Sequence, residues 1–178
     1  MWIDVRIPYG LNNSLAQAYN RVLEESTAEW VLFLDHDVFL CNPLWYDMCL
    51  NAIGQMKKDS RAACLTCVCG GERHRRSMRD GKAISDNIEH HIRESILHYQ
   101  HYRCSLEQIN VYAAGYFLLL NRKIAQRIGF QQQNHTVNNI DADFGTRLMA
   151  EGYHIYLMRG LYIYHRRGMK HLVKEFRK

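Results

Sequence analysis

The sequence predicts an α/β fold, a central and mainly parallel sheet flanked by helices, on three observations. Trp2 to Ile7 alternates apolar and polar residues as a half-buried strand does. Leu15, Ala18, Tyr19, Val22 and Leu23 then recur at helical spacing. Trp30 to Leu34 is a short continuous apolar run, the kind a strand carries when both faces of a parallel sheet are covered. These segments make a β-α-β unit, and strands continue to alternate with helices towards the C-terminus.

Each element has a local reason. Pro8-Tyr9-Gly10 ends the first strand, and Asn12, Asn13 and Ser14 are N-cap candidates for the helix that follows. Pro43 sits where a first helical turn tolerates proline, so a helix is predicted over Leu44 to Met56. Arg61 to Cys69 reads as a strand, and Gly70 to Lys82, charged and punctuated by glycine, as a surface loop. Ser85 is the expected cap of a helix whose Ile88, Ile92, Ile96 and Tyr99 share one face, expected to point inward. Val111 to Leu120 is a strand, Arg122 to Ile128 a short helix stopped by Gly129, and Gln131 to Asn139 a polar loop. A helix from Asp141 to Glu151, stopped by Gly152, precedes two short strands, His154 to Met158 and Leu161 to Tyr164. No repeat, linker or low-complexity segment divides the chain, so residues 1–178 read as a single domain.

Composition narrows the class. Of 178 residues 47% are hydrophobic and 23% charged, as in a folded domain rather than a disordered or fibrous chain. A chain of this length buries enough surface to fold without disulfides or structural metal, so six cysteines need no framework. No apolar stretch approaches the roughly 20 residues that cross a bilayer, and Met-Trp-Ile-Asp-Val-Arg lacks a signal-peptide layout. A cytoplasmic protein with reduced thiols is the expectation. The net charge of +5 is concentrated in Arg73, Arg75, Arg76, Arg79 and Lys82, and in Arg159, Arg166, Arg167, Lys170, Lys174, Arg177 and Lys178. Such clusters suit an anionic partner, whether a phosphate ligand, nucleic acid or acidic lipid, or form plain solvated surfaces.

Three places carry candidate chemistry. Asp35-His36-Asp37 directly follows the buried strand, beyond the carboxyl end where ligands of open α/β sheets gather. Residues i and i+2 of an extended segment point the same way, so both carboxylates can approach one hard cation; two solvated loop acids are the alternative. Asp141-Ala142-Asp143 opens a helix, where acids complement the orphan amides and the dipole. That role fits Asp143, whereas Asp141 at the loop junction can face a cleft as a general base. His165 follows a strand, where an imidazole can complete a metal site or simply pack, and Arg166 and Arg167 beside it can hold phosphate oxygens.

In their order these elements resemble the GT-A glycosyltransferases, in particular small proteins related to glycosyltransferase family 2, over nearly the whole chain. Pro8-Tyr9 with Asn12-x-Ser-Leu-Ala-x-Ala-Tyr-Asn20 is similar to the family's first strand and donor-contacting helix, and Trp30 to Asp37 to its metal-binding strand end. Ala113-Ala-Gly-Tyr-Phe117 is similar to the small-residue strand against the donor sugar, Ile140 to Arg147 to the helix carrying the base, and Gly160 to His165 to the closing strand. The resemblance implies an abbreviated, Rossmann-like GT-A fold, with residues 1–60 as the nucleotide and metal half and 61–178 as the acceptor half with a C-terminal lid. It implies a nucleotide-diphosphate sugar donor, a glycan or other hydroxyl acceptor, and a Mn2+ or Mg2+ ion on Asp35, Asp37 and His165, with Asp37 the more direct ligand. Asp141 takes the base position of an inverting enzyme. Pro8, Tyr9, Asn12, Asn20, Asp35 and Gly115 fall at donor positions, with Arg166, Lys170 and His171 at the diphosphate. Two positions depart from the family pattern: Ile140 stands where an acid usually precedes the base, and the segment between Ile7 and Trp30 holds one helix where a further strand-helix unit is usual.

Other features read as structural. Cys64-x-x-Cys67-x-Cys69 lacks a matching pair of zinc ligands, so buried thiols are expected, with Cys67 and Cys69 on one face and Cys64 opposite. His90, Glu94, His98 and His101 share a helical face that is expected to be the solvent side. Two rival functions remain in view: a non-catalytic sugar-nucleotide or glycan-binding domain, and a basic nucleic-acid-binding protein. The second lacks aromatic interleaving or a known nucleic-acid motif.

Overall fold

The computed structural model describes residues 2–9, 15–70, 86–131 and 140–166. In chain order its elements are β1 (Ile3–Arg6), α1 (Leu15–Glu25), β2 (Trp30–Leu34), β3 (Val38–Phe39), α2 (Trp45–Met56) and β4 (Ala62–Gly70). Then come α3 (Ile88–Tyr102), β5 (Leu106–Ile109), β6 (Phe117–Asn121), α4 (Arg122–Ile128), α5 (Ile140–Ala150) and β7 (His154–His165). The strands among the described residues form one sheet in the order β1-β2-β6-β4-β7-β3, with β5 on β7. β1 runs parallel to β2 and β4 parallel to β7, whereas β6 runs antiparallel to both β2 and β4. The long strands β2, β4 and β7 therefore point the same way and end at one edge.

The all-apolar β2 is explained by the two layers it feeds. Val31 and Phe33 pack with Tyr19, Leu23, Phe130, Phe144 and Leu148, contributed by α1, α5 and the segment after α4. Trp30, Leu32 and Leu34 pack on the other side with Met48, Cys49, Ala52 and Ile53 of α2. Cys64 joins the first layer and Cys67 and Cys69 the second, all buried, and burial pushes the Cys64 and Cys67 thiols well up.

The structure corrects several boundaries. The two short strands expected after Gly152 are one twelve-residue strand, β7, with an irregularity where Cys67 and Val68 pair with Met158 and Tyr162. Gly160 lies in that irregularity, and a Cβ on it would sit 1.8 Å from the Arg103 carbonyl oxygen, so the chain after α3 can approach only a glycine. The strand expected from Val111 begins only at Phe117, and β3 and β5 had no strong signal because they are two and four residues long. The helix after the basic loop is capped by Asn87, whose side chain accepts the Glu89 amide at 2.9 Å, while Ser85 and the loop of residues 71–85 lie outside the described residues.

Helix α3 faces the opposite way from expectation. His91, Ser95 and His98 are its buried residues, and Ile88, Ile92 and Ile96 are 38%, 41% and 46% exposed. The reason lies on β7, which presents Tyr162 and Tyr164 to the helix. His91 stacks on the Tyr164 ring at 3.7 Å and its Nδ1 lies 2.7 Å from the Tyr162 hydroxyl, while Ser95 donates to the Cys41 carbonyl at 3.1 Å. Buried hydroxyls need partners, and a histidine-serine face supplies them where isoleucine cannot.

Candidate active site

At the edge where β2, β4 and β7 end, four segments converge. The chain leaves β2 at Asp35, whose amide donates to the Tyr116 carbonyl at 3.3 Å and ties it to the entry of β6. A turn closed by the Val38 amide on the Asp35 carbonyl, 3.3 Å, swings Asp37 round, and β3 then pairs with β7 so that Val38 lies opposite His165. The Arg166 amide donates to the Asp37 carbonyl at 3.0 Å. Short as it is, β3 sets the register that brings residues 37 and 165 together.

The side chains meet accordingly. His165 Nε2 lies 3.0 Å from Asp37 Oδ1 and 3.5 Å from Asp35 Oδ2, and ligand atoms of all three residues fall within 4.8 Å of one another. His165 is largely buried, with its ring 5.5 Å from that of Tyr116, whereas Asp35 keeps 40% of its side chain exposed. Burial pushes the Asp35 carboxyl above its ordinary range, and the charges of Asp37 and Asp141 push the same way against the opposing pull of His165 and His36. Among the described residues no lysine or arginine is ion-paired to either acid. Two carboxylates and one imidazole form an oxygen-rich donor set that suits a hard or borderline divalent ion such as Mg2+ or Mn2+. Among the described residues no other group of three potential ligands converges in this way.

Asp141 stands on the first turn of α5 and reaches into the same edge. Its Oδ2 accepts the Gly115 amide at 2.8 Å and its Oδ1 the Ala142 amide at 2.9 Å, so the carboxylate lies over the small-residue approach to β6. Its charge adds to the upward push on the Asp35 carboxyl, after burial and the charge of Asp37. Asp143 takes the structural role instead, pairing with Arg147, which also donates to the Ile128 and Gly129 carbonyls at 2.6 and 2.7 Å. Arg147 thereby fastens α5 to the end of α4. Sequence reasoning missed that role, although Asp143 and Arg147 at i and i+4 were a signal for the pair.

The remaining predicted residues divide three ways. Pro8 and Tyr9 leave β1 at the same edge, because Arg6 is paired with Phe33 in parallel register, and Tyr9 is fully outward. Asn20 is tethered to the segment after α4: its side-chain amide donates to the Phe130 carbonyl at 2.9 Å and accepts the Phe130 amide at 2.8 Å. Its neighbour Tyr19, read only as core, stacks on Phe130, and burial pushes its hydroxyl pKa up, with the charges of Asp35 and Asp141 acting in the same direction. Asn12, Arg167, Lys170 and His171 lie outside the described residues.

Among the described residues no helix is long and apolar enough to cross a membrane. The family model for glycosyl transferase family 2 matches residues 5–129, from β1 through α4, a span that contains Asp35, Asp37 and Gly115 and stops short of Asp141 and His165. No curated protein matches the sequence closely enough to count as a relative.

Proposed function

The chain belongs to glycosyl transferase family 2, and from that premise we propose that it is a divalent-metal-dependent, inverting glycosyltransferase of the hexosyl type that moves a sugar from a nucleotide-diphosphate donor to an acceptor hydroxyl. The observation that carries the proposal is the meeting of Asp35, Asp37 and His165 at one edge with Asp141 on the facing helix turn. Asp35, Asp37 and His165 would hold the ion. When bound there, Mn2+ or Mg2+ supplies positive charge against the diphosphate.

The other roles belong to the chain. The acceptor oxygen attacks the anomeric carbon, the bond from that carbon to the diphosphate oxygen breaks with its electron pair leaving on the diphosphate, and the acceptor proton passes to the Asp141 carboxylate. Each Asp141 oxygen has two lone pairs and gives one to an amide, of Gly115 or Ala142, so the group is aimed yet retains a lone pair for the proton. Pro8, Tyr9 and Asn12 on one side, with Arg166 and His171 on the other, are the residues we place against the donor. We read residues 1–178 as one such unit, acting in the cytoplasm.

The test is a thermal-shift panel of nucleoside diphosphates with and without Mn2+, followed by transfer or donor-hydrolysis assays. A shift that needs both nucleotide and metal and vanishes in Asp37→Ala supports the site; Asp141→Asn keeps the shift and loses turnover. No shift with any nucleotide sinks the reading. A second reading, a sugar-nucleotide-binding domain without catalysis, is favoured by the short span between β1 and β2, in which α1 is the one helix among the described residues, and it predicts the metal-dependent shift with no turnover in the wild-type chain.

A further inference from the structure

The site at the sheet edge is built from two segments that meet over a short contact. Asp37 lies on the turn after β2 and His165 ends β7, and the strand pairing that joins the two segments consists of Val38 with His165 and Phe39 with Tyr164. β3 stands last in the strand order, so among the described residues its pairing is with β7 alone. Two residue pairs at a sheet edge are marginal by themselves. Helix α3 touches both segments. Its Ser95, 0% exposed, donates to the Cys41 carbonyl at 3.1 Å, and the Cys41 thiol donates in turn to the Phe39 carbonyl at 3.3 Å. One turn earlier His91, 2% exposed, lies flat on the Tyr164 ring, with centroids 3.7 Å apart and planes within 10°. That ring also stacks on Phe39 at 5.8 Å, and its hydroxyl donates to Asp86 Oδ1 at 2.9 Å just ahead of the helix.

We propose that His91 and Ser95 are positioning residues for the metal site: one face of α3 grips the chain after Asp37 with Ser95 and the strand before His165 with His91, and so sets the distance between the two ligands. The inference rests on the reading of Asp35, Asp37 and His165 as ion ligands. Four residues apart, His91 and Ser95 share a helix face. The span between their grips is therefore fixed by the helix and not by the two-residue pairing alone. Position 91 needs a ring that also carries a polar atom, because it covers Tyr164 and meets the Tyr162 hydroxyl 2.7 Å from Nδ1. β4 makes room for that pair with Gly70, where a Cβ would run into the Tyr162 hydroxyl and sit 3.1 Å from His91 Nδ1. Neither residue belongs to the ligand set; they act through Tyr164 and Cys41. An ion binds more tightly where its ligands are already held at the right spacing, and losing a direct outer partner of a ligand typically costs about 10–100-fold in affinity. A grip one residue further out costs less, several-fold.

Titration of the whole chain with Mn2+, followed by electron paramagnetic resonance of the free and the bound ion, tests it. His91→Asn can still meet the Tyr162 hydroxyl but has no ring to lay on Tyr164, and Ser95→Ala has no hydroxyl for the Cys41 carbonyl. Each should raise the Mn2+ dissociation constant several-fold and broaden the spectrum of the bound ion, at a temperature where circular dichroism shows the variant folded. The double variant should bind about as well as the weaker single one, because a helix released from one segment no longer sets the span. Asp59→Ala, which loosens the start of the same strand, should lower the melting temperature and leave affinity and spectrum as in the wild type. That contrast separates positioning from stability. A wild-type chain that binds Mn2+ while both variants bind it equally well overturns the proposal and leaves the reading of the site standing. Losses that add in the double variant, or an Asp59→Ala chain weakened to the same degree, overturn it as well. A wild-type chain that binds no Mn2+ overturns the reading of the site and this inference with it. Should His91→Asn fail to fold, Ser95→Ala set against Asp59→Ala decides the matter.

Discussion

Strand β7 has an acid-histidine cluster at each end, and the two are electrostatic opposites. At its start, Asp59 Oδ2 lies 2.7 Å from both His154 Nδ1 and the Tyr156 hydroxyl, and Asp59 Oδ1 accepts the Arg61 amide at 2.9 Å. One carboxylate there has three donors. Burial alone would raise the Asp59 carboxyl, but those hydrogen bonds hold it below its ordinary range. At the other end two carboxylates share one imidazole, and burial pushes Asp35 up. The first cluster is complete by itself and needs nothing more. The second is short of positive charge, at the strand ends where an α/β sheet receives ligands. Residue types alone do not separate a structural acid-histidine contact from a site; the balance of donors to carboxylates does.

The largest effects are expected at the charge-deficient end. Asp141→Asn removes the proposed base at the cost of one of the two amide hydrogen bonds its carboxylate accepts, from Gly115 and Ala142, and should lower the transfer rate by about 10²–10⁴-fold, measured with saturating donor and with the melting temperature checked beside it. Asp37→Ala should abolish both turnover and the metal-dependent thermal shift. If either variant turns over normally, the contrast between the ends has no functional meaning.

At the complete end the effect should move from rate to stability. Asp59→Ala strips partners from His154 and Tyr156 and should cost about 1–3 kcal/mol, read by urea denaturation, with transfer activity retained. The pH dependence has a definite sign. Because the folded carboxyl titrates below its unfolded value of 3.8, its contribution is present above that value and is lost as pH falls through the folded pKa. The gap between wild type and variant should therefore close in acid. A gap that is constant with pH would remove the charge from the explanation.

The sequence made the charge-deficient end legible because its two acids are neighbours in sequence and follow an apolar run that can only be a buried strand. The α/β class and the positions of α1, α2, α4 and α5 were legible for the same reason, local periodicity. What was hidden depends on partners far along the chain. Asp59 meets His154 across 95 residues, the Asn20 tether reaches Phe130 across 110, and the inward turn of His91 is dictated by Tyr162 and Tyr164 on a strand whose course no local pattern shows. Periodicity named the apolar side of α3 correctly. It could not say that the side facing β7 needed hydrogen-bond partners more than it needed methyl groups.

The smallest expected effect is also the most discriminating, because it changes sign. In the absence of metal, Asp35 is a carboxylate that the fold disfavours: burial raises its folded pKa above its ordinary value of 3.8. For an acid raised on folding, stability is greatest below the unfolded pKa and declines as pH rises through the folded one, since the native state then holds a charge it would rather not carry. Asp35→Asn removes that charge while keeping the shape. At neutral pH and with chelator the variant should therefore melt slightly above wild type, and the difference should fade as the pH drops below the folded pKa. The shift is small because the side chain is 40% exposed and solvent screens much of the penalty. Saturating Mn2+ should reverse the order, since an ion that binds only the native wild-type site stabilises it in proportion to its affinity. Asp59→Asn should show neither the gain in chelator nor the reversal. An Asp35→Asn variant that is less stable under both conditions would mean that Asp35, like Asp59, is a structural acid, and the two ends of β7 would no longer differ in kind.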